Sequence, residues 1–178
     1  MYAREIGQQY VDEGLHTITA EFFTEHLAIS GEMSTPEGRL SDHLNGSATS
    51  IEIRPASVQG LFTGEEIDLA GAHAHITKAH LLFVVPMVGL GADAGSNGKN
   101  WQWTITKRCW AAFGRYALVG KIHAEVGRDP RLILRSLEEK QFLPFTEVTI
   151  TNPDRTTREC HAVIVNRSHF EMLALQDI

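Results

Sequence analysis

Two stretches of this chain match each other at a fixed spacing. Ile29-Ser30-Gly31-Glu32-Met33 lies over Leu118-Val119-Gly120-Lys121-Ile122, so that Gly31 falls on Gly120, 89 residues later. The same spacing carries Gly38-Arg39 onto Gly127-Arg128, Ile76 onto Val165, His80 onto His169 and Leu81 onto Phe170. Upstream, Thr17-Ile18-Thr19 matches Thr104-Ile105-Thr106 at a spacing of 87, which predicts a two-residue length change between the segments. The main spacing is half of the 178 residues. Self-similarity of this kind is the signature of one structural unit written twice. The expected organisation is a first β unit over 1–88, a Gly-rich linker over 89–100 and a second β unit over 101–178.

Each unit alternates short β signals with one helical insert. Val11 to Phe23 and His26 to Ser34 read as strands, with apolar residues at Leu27, Ile29 and Met33. Thr35 to Asn45 reads as a turn and a short helix, and Ser50 to Gln59 and Ala72 to Val85 as further strands. In the second unit Asp129 is a suitable N-cap and Pro130 suits the first helical position. Ile133, Leu134 and Leu137 then share one helix face, and Thr146 to Thr151 resumes a strand. The last strands are Val163-Ile164-Val165, a tight Asn166-Arg167-Ser168 corner, and His169 to Leu173. The expected fold class is mostly β with short helices, as two tandem small barrel-like units of SH3 or Sm type. A barrel removes the unpaired edges of a short antiparallel sheet, and a strongly bent sheet is the alternative.

The strand, polar corner and final strand from Val163 to Leu173 resemble the second signature of Sm-like small β-barrels. Gly120-Lys121-Ile122 resembles the early glycine of that family's first signature, and Asp42-His43-Leu44-Asn45 its loop, with an Asp-to-Asn spacing one residue short. The second unit has no such loop at Asp129 to Leu132, and the family usually places its helix before the barrel. The resemblance covers about half of each unit. It implies a small barrel fold, and for the Asp42–Asn45 loop a contact with single-stranded RNA.

Charge is divided unevenly. Residues 1–89 hold four basic and twelve acidic side chains, a net of −8, and the remainder holds twelve and ten, a net of +2. Opposite fields on two similar units suit head-to-tail association, since complementary charge sets partner and register. Such a heterologous contact closes into a ring or runs on as a filament. The expected partner is therefore a second copy of the chain, for instance in a trimer of pseudo-sixfold shape, with a further protein partner as an option. Packing of the two halves on each other within a monomer is the competing arrangement. The overall charge of −6 argues against general nucleic-acid binding, though not against a local basic groove. The most apolar stretch, Leu81 to Leu90, is too short to span a bilayer. The N-terminus shows no signal-peptide pattern, so a cytoplasmic location is expected, with Cys109 and Cys160 reduced rather than bridged.

Site candidates are few. His73 and His75 are two apart on an expected strand, so both leave one face and could chelate a metal ion, with His161 or Glu65 as a third ligand. A solvated His-x-His is the plainer reading. His80 and His169 suggest a shared structural hydrogen bond at the strand corner. Gly38 and Gly127 suggest a left-handed turn, and Arg39 and Arg128 a carboxylate partner, a cap on nearby carbonyls or a common anionic ligand. Lys107, Arg108, Arg115, Lys121, Arg128, Arg131 and Arg135 accompany Trp101, Trp103, Trp110 and Tyr116. Basic and aromatic residues together bind single-stranded nucleic acid or anchor a protein interface. Arg39, Arg128, Arg131, Arg135, Trp101 and Trp103 are the interface or ligand candidates. Gly98-Lys99 resembles the end of a phosphate loop, but Asp93 stands where its first glycine belongs and Asn100 where Ser or Thr is needed. No Ser-His-Asp or Cys-His pattern stands out, and no catalytic residue or cofactor is assigned. The expected function is a non-enzymatic oligomeric binding or scaffolding protein. An Sm-like RNA-binding ring and a metal-dependent enzyme using His73 and His75 are the alternatives.

Overall fold

A computed structural model describes residues 15–69, 71–87, 104–125, 135 and 138–176. The chain is mostly β. Two strands, β1 (His16–Thr24) and β2 (Leu27–Thr35), form a hairpin, followed by the helix α1 (Leu40–Asn45). Then come β3 (Ser50–Gly60), β4 (Glu66–Ile67), β5 (Ala74–Thr77), a 3₁₀ turn (Lys78–His80) and β6 (Leu81–Pro86). A second hairpin joins β7 (Thr104–Phe113) and β8 (Tyr116–Glu125). It precedes β9 (Phe142–Thr151), β10 (Thr157–Asn166), a 3₁₀ turn (Arg167–His169) and β11 (Phe170–Gln176).

The strands follow from period-2 patterning. Ile18, Ala20 and Phe22 on β1 and Ile29, Gly31 and Met33 on β2 are buried while their neighbours are not. β6 differs, because Leu81 to Val85 are all buried. Leu82, Phe83 and Val85 join a core with β7 to β10, whereas Leu81 and Val84 join a core with β1 to β3, α1 and β5. In exchange Phe142 and Ile164, from the second half, enter the first core. Phe83 stacks on Phe23 at 4.4 Å and meets Phe113 and Tyr116 edge-on at 5.6 and 5.0 Å. Burial of a single phenylalanine contributes ~1.5–3 kcal/mol, so these exchanges bind the halves to each other.

The strand order is β11-β7-β8-β9-β10-β6-β1-β2-β3-β4, with β5 also paired to β3. The sheet is one open antiparallel sheet rather than two separately closed barrels. The outer side of β6 is taken by β10, in the register Ile164↔Val84 and Val165↔Phe83. The first-half strands therefore cannot close on themselves through β6.

Two sequence expectations change. Hairpin registers place Ala20 opposite Gly31 and Cys109 opposite Gly120. Thr17 accordingly corresponds in position to Thr106, and the spacing of 89 holds through both hairpins with no length change. The match of Thr17-Ile18-Thr19 to Thr104-Ile105-Thr106 is one of residue type only. Gly38 is not left-handed, since the described glycines with positive φ are Gly64, Gly71 and Gly114. The linker over 89–100 and the expected second helix around Asp129 and Pro130 lie outside the described residues.

Candidate assembly interface

The β6–β10 contact is short in backbone terms but heavily clamped. Asn166, at the end of β10, is fully buried, and its amide donates to the Lys78 carbonyl at 3.2 Å and the Leu81 carbonyl at 2.9 Å. Its side-chain oxygen accepts from the Ser168 N–H at 3.1 Å, which caps the 3₁₀ turn. His169 Nε2 lies 2.8 Å from the Ala79 carbonyl. A carbonyl only accepts, so this nitrogen carries the proton. Asn45, on α1, donates to the Phe142 carbonyl at 2.8 Å and accepts from the Phe142 N–H at 2.9 Å, 97 residues away. Away from these bonds, Arg158 of β10 forms an ion pair with Glu21 of β1.

Among the described residues three strands have an unpaired side: β11 pairs only with β7, and β4 and β5 only with β3. Met172 on β11 is 51% exposed. On β5, His75 and Thr77 are exposed although Ile76 is buried.

A helix anchor lies beside the junction. Lys78 is only 4% exposed, and its Nζ donates to the carbonyls of His43 and Gly46 at 3.1 and 3.0 Å. Its cation thus meets carbonyls at the C-terminal end of α1, while burial pulls its pKa below the ordinary lysine value. At the other end of this segment Thr35 Oγ1, Glu37 Oε2 and His43 Nδ1 are mutually bonded at 2.5 to 2.9 Å. The Thr35 hydroxyl, followed by His43, brings the Glu37 carboxyl down to about 2. A hydroxyl–imidazole–carboxylate relay needs the two partners on opposite ring nitrogens. Here both meet the same nitrogen, so the cluster is a latch holding α1 to the end of β2.

A cleft of about 630 Å³ opens between the β1–β2 turn and the β7–β8 and β9–β10 turns. Several of its charged groups are engaged: Arg158 with Glu21, Asp154 with the Thr156 N–H and hydroxyl, and Arg115 over the Phe62 ring at 4.1 Å.

The residues singled out from sequence are dispersed. His73 Nδ1 is 2.8 Å from Glu52 Oε1, both exposed, and this bond is the first cause of the lowered Glu52 pKa. His75 stands on β5 opposite Glu52. Among the described residues no group of three or more His, Cys, Asp or Glu side chains could hold a metal ion. Neither His161 nor Glu65 therefore completes a site with His73 and His75. Arg39 is half-buried at the start of α1, where its carbonyl accepts from the Asp42 and His43 N–H groups. Arg135 is exposed and helical. Arg128, Arg131, Trp101 and Trp103 lie outside the described residues. His169 makes the hydrogen bond expected at the strand corner, whereas His80 is exposed. Cys109 and Cys160 are free thiols, and burial pushes Cys109 up to about 12. Sequence reading passed over the clamp formed by Asn45, Asn166 and Lys78. Only Asn166 carried a signal, as the polar corner before the last strand; nothing local to Asn45 indicates a partner 97 residues away.

Comparison with protein-family models, with curated proteins and with solved structures gives no match. No described helix is long and apolar enough to cross a membrane.

Proposed function

We propose that this chain is a non-enzymatic scaffolding protein. It consists of two copies of one five-stranded unit, β4 and β5 together taking the place of β10 in the first copy, and assembles head to tail with further copies of itself. The observation that carries this reading is the β6–β10 junction. One strand from each half is joined through a buried, clamped contact, and among the described residues one strand of each kind, β5 and β11, is left with a free side.

The equivalence of the units is supported by registers. β2 and β8 begin 89 residues apart at Leu27 and Tyr116, as do the 3₁₀ turns at Lys78 and Arg167 and the strands β6 and β11 at Leu81 and Phe170. The pairs Phe23↔Phe83 and Phe22↔Val84 recur at this spacing as Ala112↔Met172 and Ala111↔Leu173. The register also slips at the same place, beside Gly31 where β2 meets β3 and beside Gly120 where β8 meets β9. A slip repeated at a glycine supports common descent of the units, because bulges are retained features of a fold.

Native mass spectrometry of gently purified protein tests the reading. A multimer of bare chains is expected. A monomer at micromolar concentration would refute head-to-tail assembly. Extra mass removed by nuclease would point to RNA binding, and extra mass removed by a chelator to a metal enzyme.

A further inference from the structure

We infer that the contact between copies reproduces the junction inside the chain. The free side of β5 in one copy adds to the free side of β11 in the next, in the register His75↔Leu173 and Ile76↔Met172. The inference rests on the head-to-tail reading and names the surfaces, which that reading leaves open.

The register follows from position. Ile164 and Val165 of β10 oppose Val84 and Phe83 of β6. Eighty-nine residues before Ile164 and Val165 stand His75 and Ile76, and 89 residues after Val84 and Phe83 stand Leu173 and Met172. The pairing of β5 with β3 confirms that these positions are equivalent. Ser50↔Thr77, Ile51↔Ile76 and Ile53↔Ala74 have the pattern of Phe142↔Asn166, Leu143↔Val165 and Phe145↔Val163. Both edges are thus already held in the geometry that the internal junction uses.

Burial distinguishes the used junction from the free one. Val163 to Asn166 are all buried where β10 meets β6, but their counterparts His75 and Thr77 are exposed. Phe83 is 1% exposed, and its counterpart Met172 is 51% exposed. A second copy of β5 laid on β11 would cover that methionine. Beyond Glu171 and the register slip at its start, β11 carries no further device that blunts a free edge. It is seven residues long, contains no proline or lysine, and presents Met172-Leu173-Ala174-Leu175 in one run. Main-chain pairing along such an edge supplies affinity, and alternate side chains supply specificity.

The polar clamp has counterparts too. His169 donates to the Ala79 carbonyl inside the chain. Its counterpart is the exposed His80, and the counterpart of Ala79 is Ser168, so His80 of one copy would donate to the Ser168 carbonyl of the next. Thr77 takes the place of Asn166, one hydroxyl donor for an amide with two. The Glu21–Arg158 ion pair is replaced by Trp110 and Ile67, since Ile67 opposes Val58 as Arg158 opposes Ile150. Ile67 is among the exposed large apolar residues of the described chain. The charged pair beside the internal junction thus has an apolar counterpart between copies, while His75 stands where the internal junction has Ile164. That suits a junction that forms after folding, from surfaces exposed in the folded chain.

Disulfide trapping provides the test. In a Cys160→Ser background, protein carrying only His75→Cys is mixed with protein carrying only Leu173→Cys and oxidised. Directly opposed residues of an antiparallel pair lie within disulfide reach, about 4.5–5.5 Å between Cα atoms. A covalent dimer of the two chains is expected from this pair, and none from the slipped pair His75→Cys with Met172→Cys, whose side chains leave opposite faces. His80→Ala should weaken assembly about tenfold, the loss of one hydrogen bond, and His80→Gln should restore most of it. A multimer in native mass spectrometry with cross-linking only in the slipped pair, or with none in either, would overturn the surfaces named here while sparing head-to-tail assembly. A monomer would overturn both.

Discussion

Asn166→Ala should destabilise the fold much more than an ordinary polar substitution. The side chain is fully buried and occupies three hydrogen-bonding positions: two donations to the Lys78 and Leu81 carbonyls, and one acceptance from the Ser168 N–H. Truncation removes both donors from carbonyls at the junction and leaves a space of three heavy atoms. A hydrogen bond contributes ~0.5–1.5 kcal/mol net, and an orphaned buried group costs ~1–3 kcal/mol. Ser168 is at a partly exposed turn, so water can replace its lost acceptor and the two carbonyls dominate. The expected loss is about 2–4 kcal/mol, which lowers Tm by about 4–16 °C at the ~2–4 °C per kcal/mol typical of this size. Urea denaturation, followed by circular dichroism and by tryptophan fluorescence, measures it. Because the two cores exchange side chains across the junction, the two signals should stay coincident in the variant. A change below 0.5 kcal/mol would refute the claim that this amide clamps the halves together. Separated transitions would show that the halves are less interdependent than their packing implies. Thr77→Val, at the corresponding exposed position, should leave monomer stability within about 0.5 kcal/mol.

Gly31→Ala places a Cβ 2.6 Å from the Arg54 carbonyl oxygen and 3.0 Å from Pro55 Cα, both backbone, so β2 and β3 must part at a cost of ~1–3 kcal/mol. Gly120→Ala meets Val148 Cγ2 at 3.0 Å and the Thr146 oxygen at 3.3 Å and should cost less; a reversed order in paired urea titrations would contradict the close approach at Gly31. The Glu37 carboxyl is depressed from 4.5 to about 2. The stability it lends is therefore present above about pH 4.5 and is lost as the pH falls towards 2. Carbon-detected NMR should place the Glu37 midpoint near 2 in the native chain and higher in Thr35→Val; an unchanged midpoint would remove the hydroxyl as the leading cause. Burial raises both thiols, Cys109 to about 12, so a thiol reagent at pH 8 should label the half-buried Cys160 slowly and Cys109 only on unfolding. Rapid labelling of both would contradict the burial of Cys109.

Strand positions were legible because they depend on local patterning. The alternation at Ile18, Ala20 and Phe22 and at Ile29 and Met33 marks β1 and β2 without reference to other residues. The corner at Asn166-Arg167-Ser168 was equally local, since its polar residues interrupt an apolar run. The exchange of Phe142 and Ile164 into the first core was not legible. An apolar residue in a strand records that a face is buried, not which core buries it. Glu37 and His43 read as turn and helix residues, because their hydrogen bonds depend on how the chain bends after Thr35. His73 and His75 were conspicuous through their spacing alone. A shared face is necessary for chelation but supplies only two ligands, and the nearby carboxylate of Glu52 is bonded to His73.

The exposed β11 bears on what kind of molecule this is. A free strand edge with Met172-Leu173-Ala174-Leu175 is an aggregation hazard unless another strand covers it. Covering it with a different protein would leave β5 open, and pairing β11 with β11 would do the same. Pairing β5 with β11 satisfies both edges at once in every copy of a closed assembly, and it uses a contact that the chain has already formed internally. Only this pairing engages both β5 and β11 in every copy when the number of copies closes a ring. If the angle between units prevents closure, the same contact gives a filament with one β5 and one β11 free at its ends. A ring has one sharp mass in solution, whereas a filament grows with concentration. Light scattering over a hundredfold dilution series separates them, with a concentration-independent mass expected for a ring.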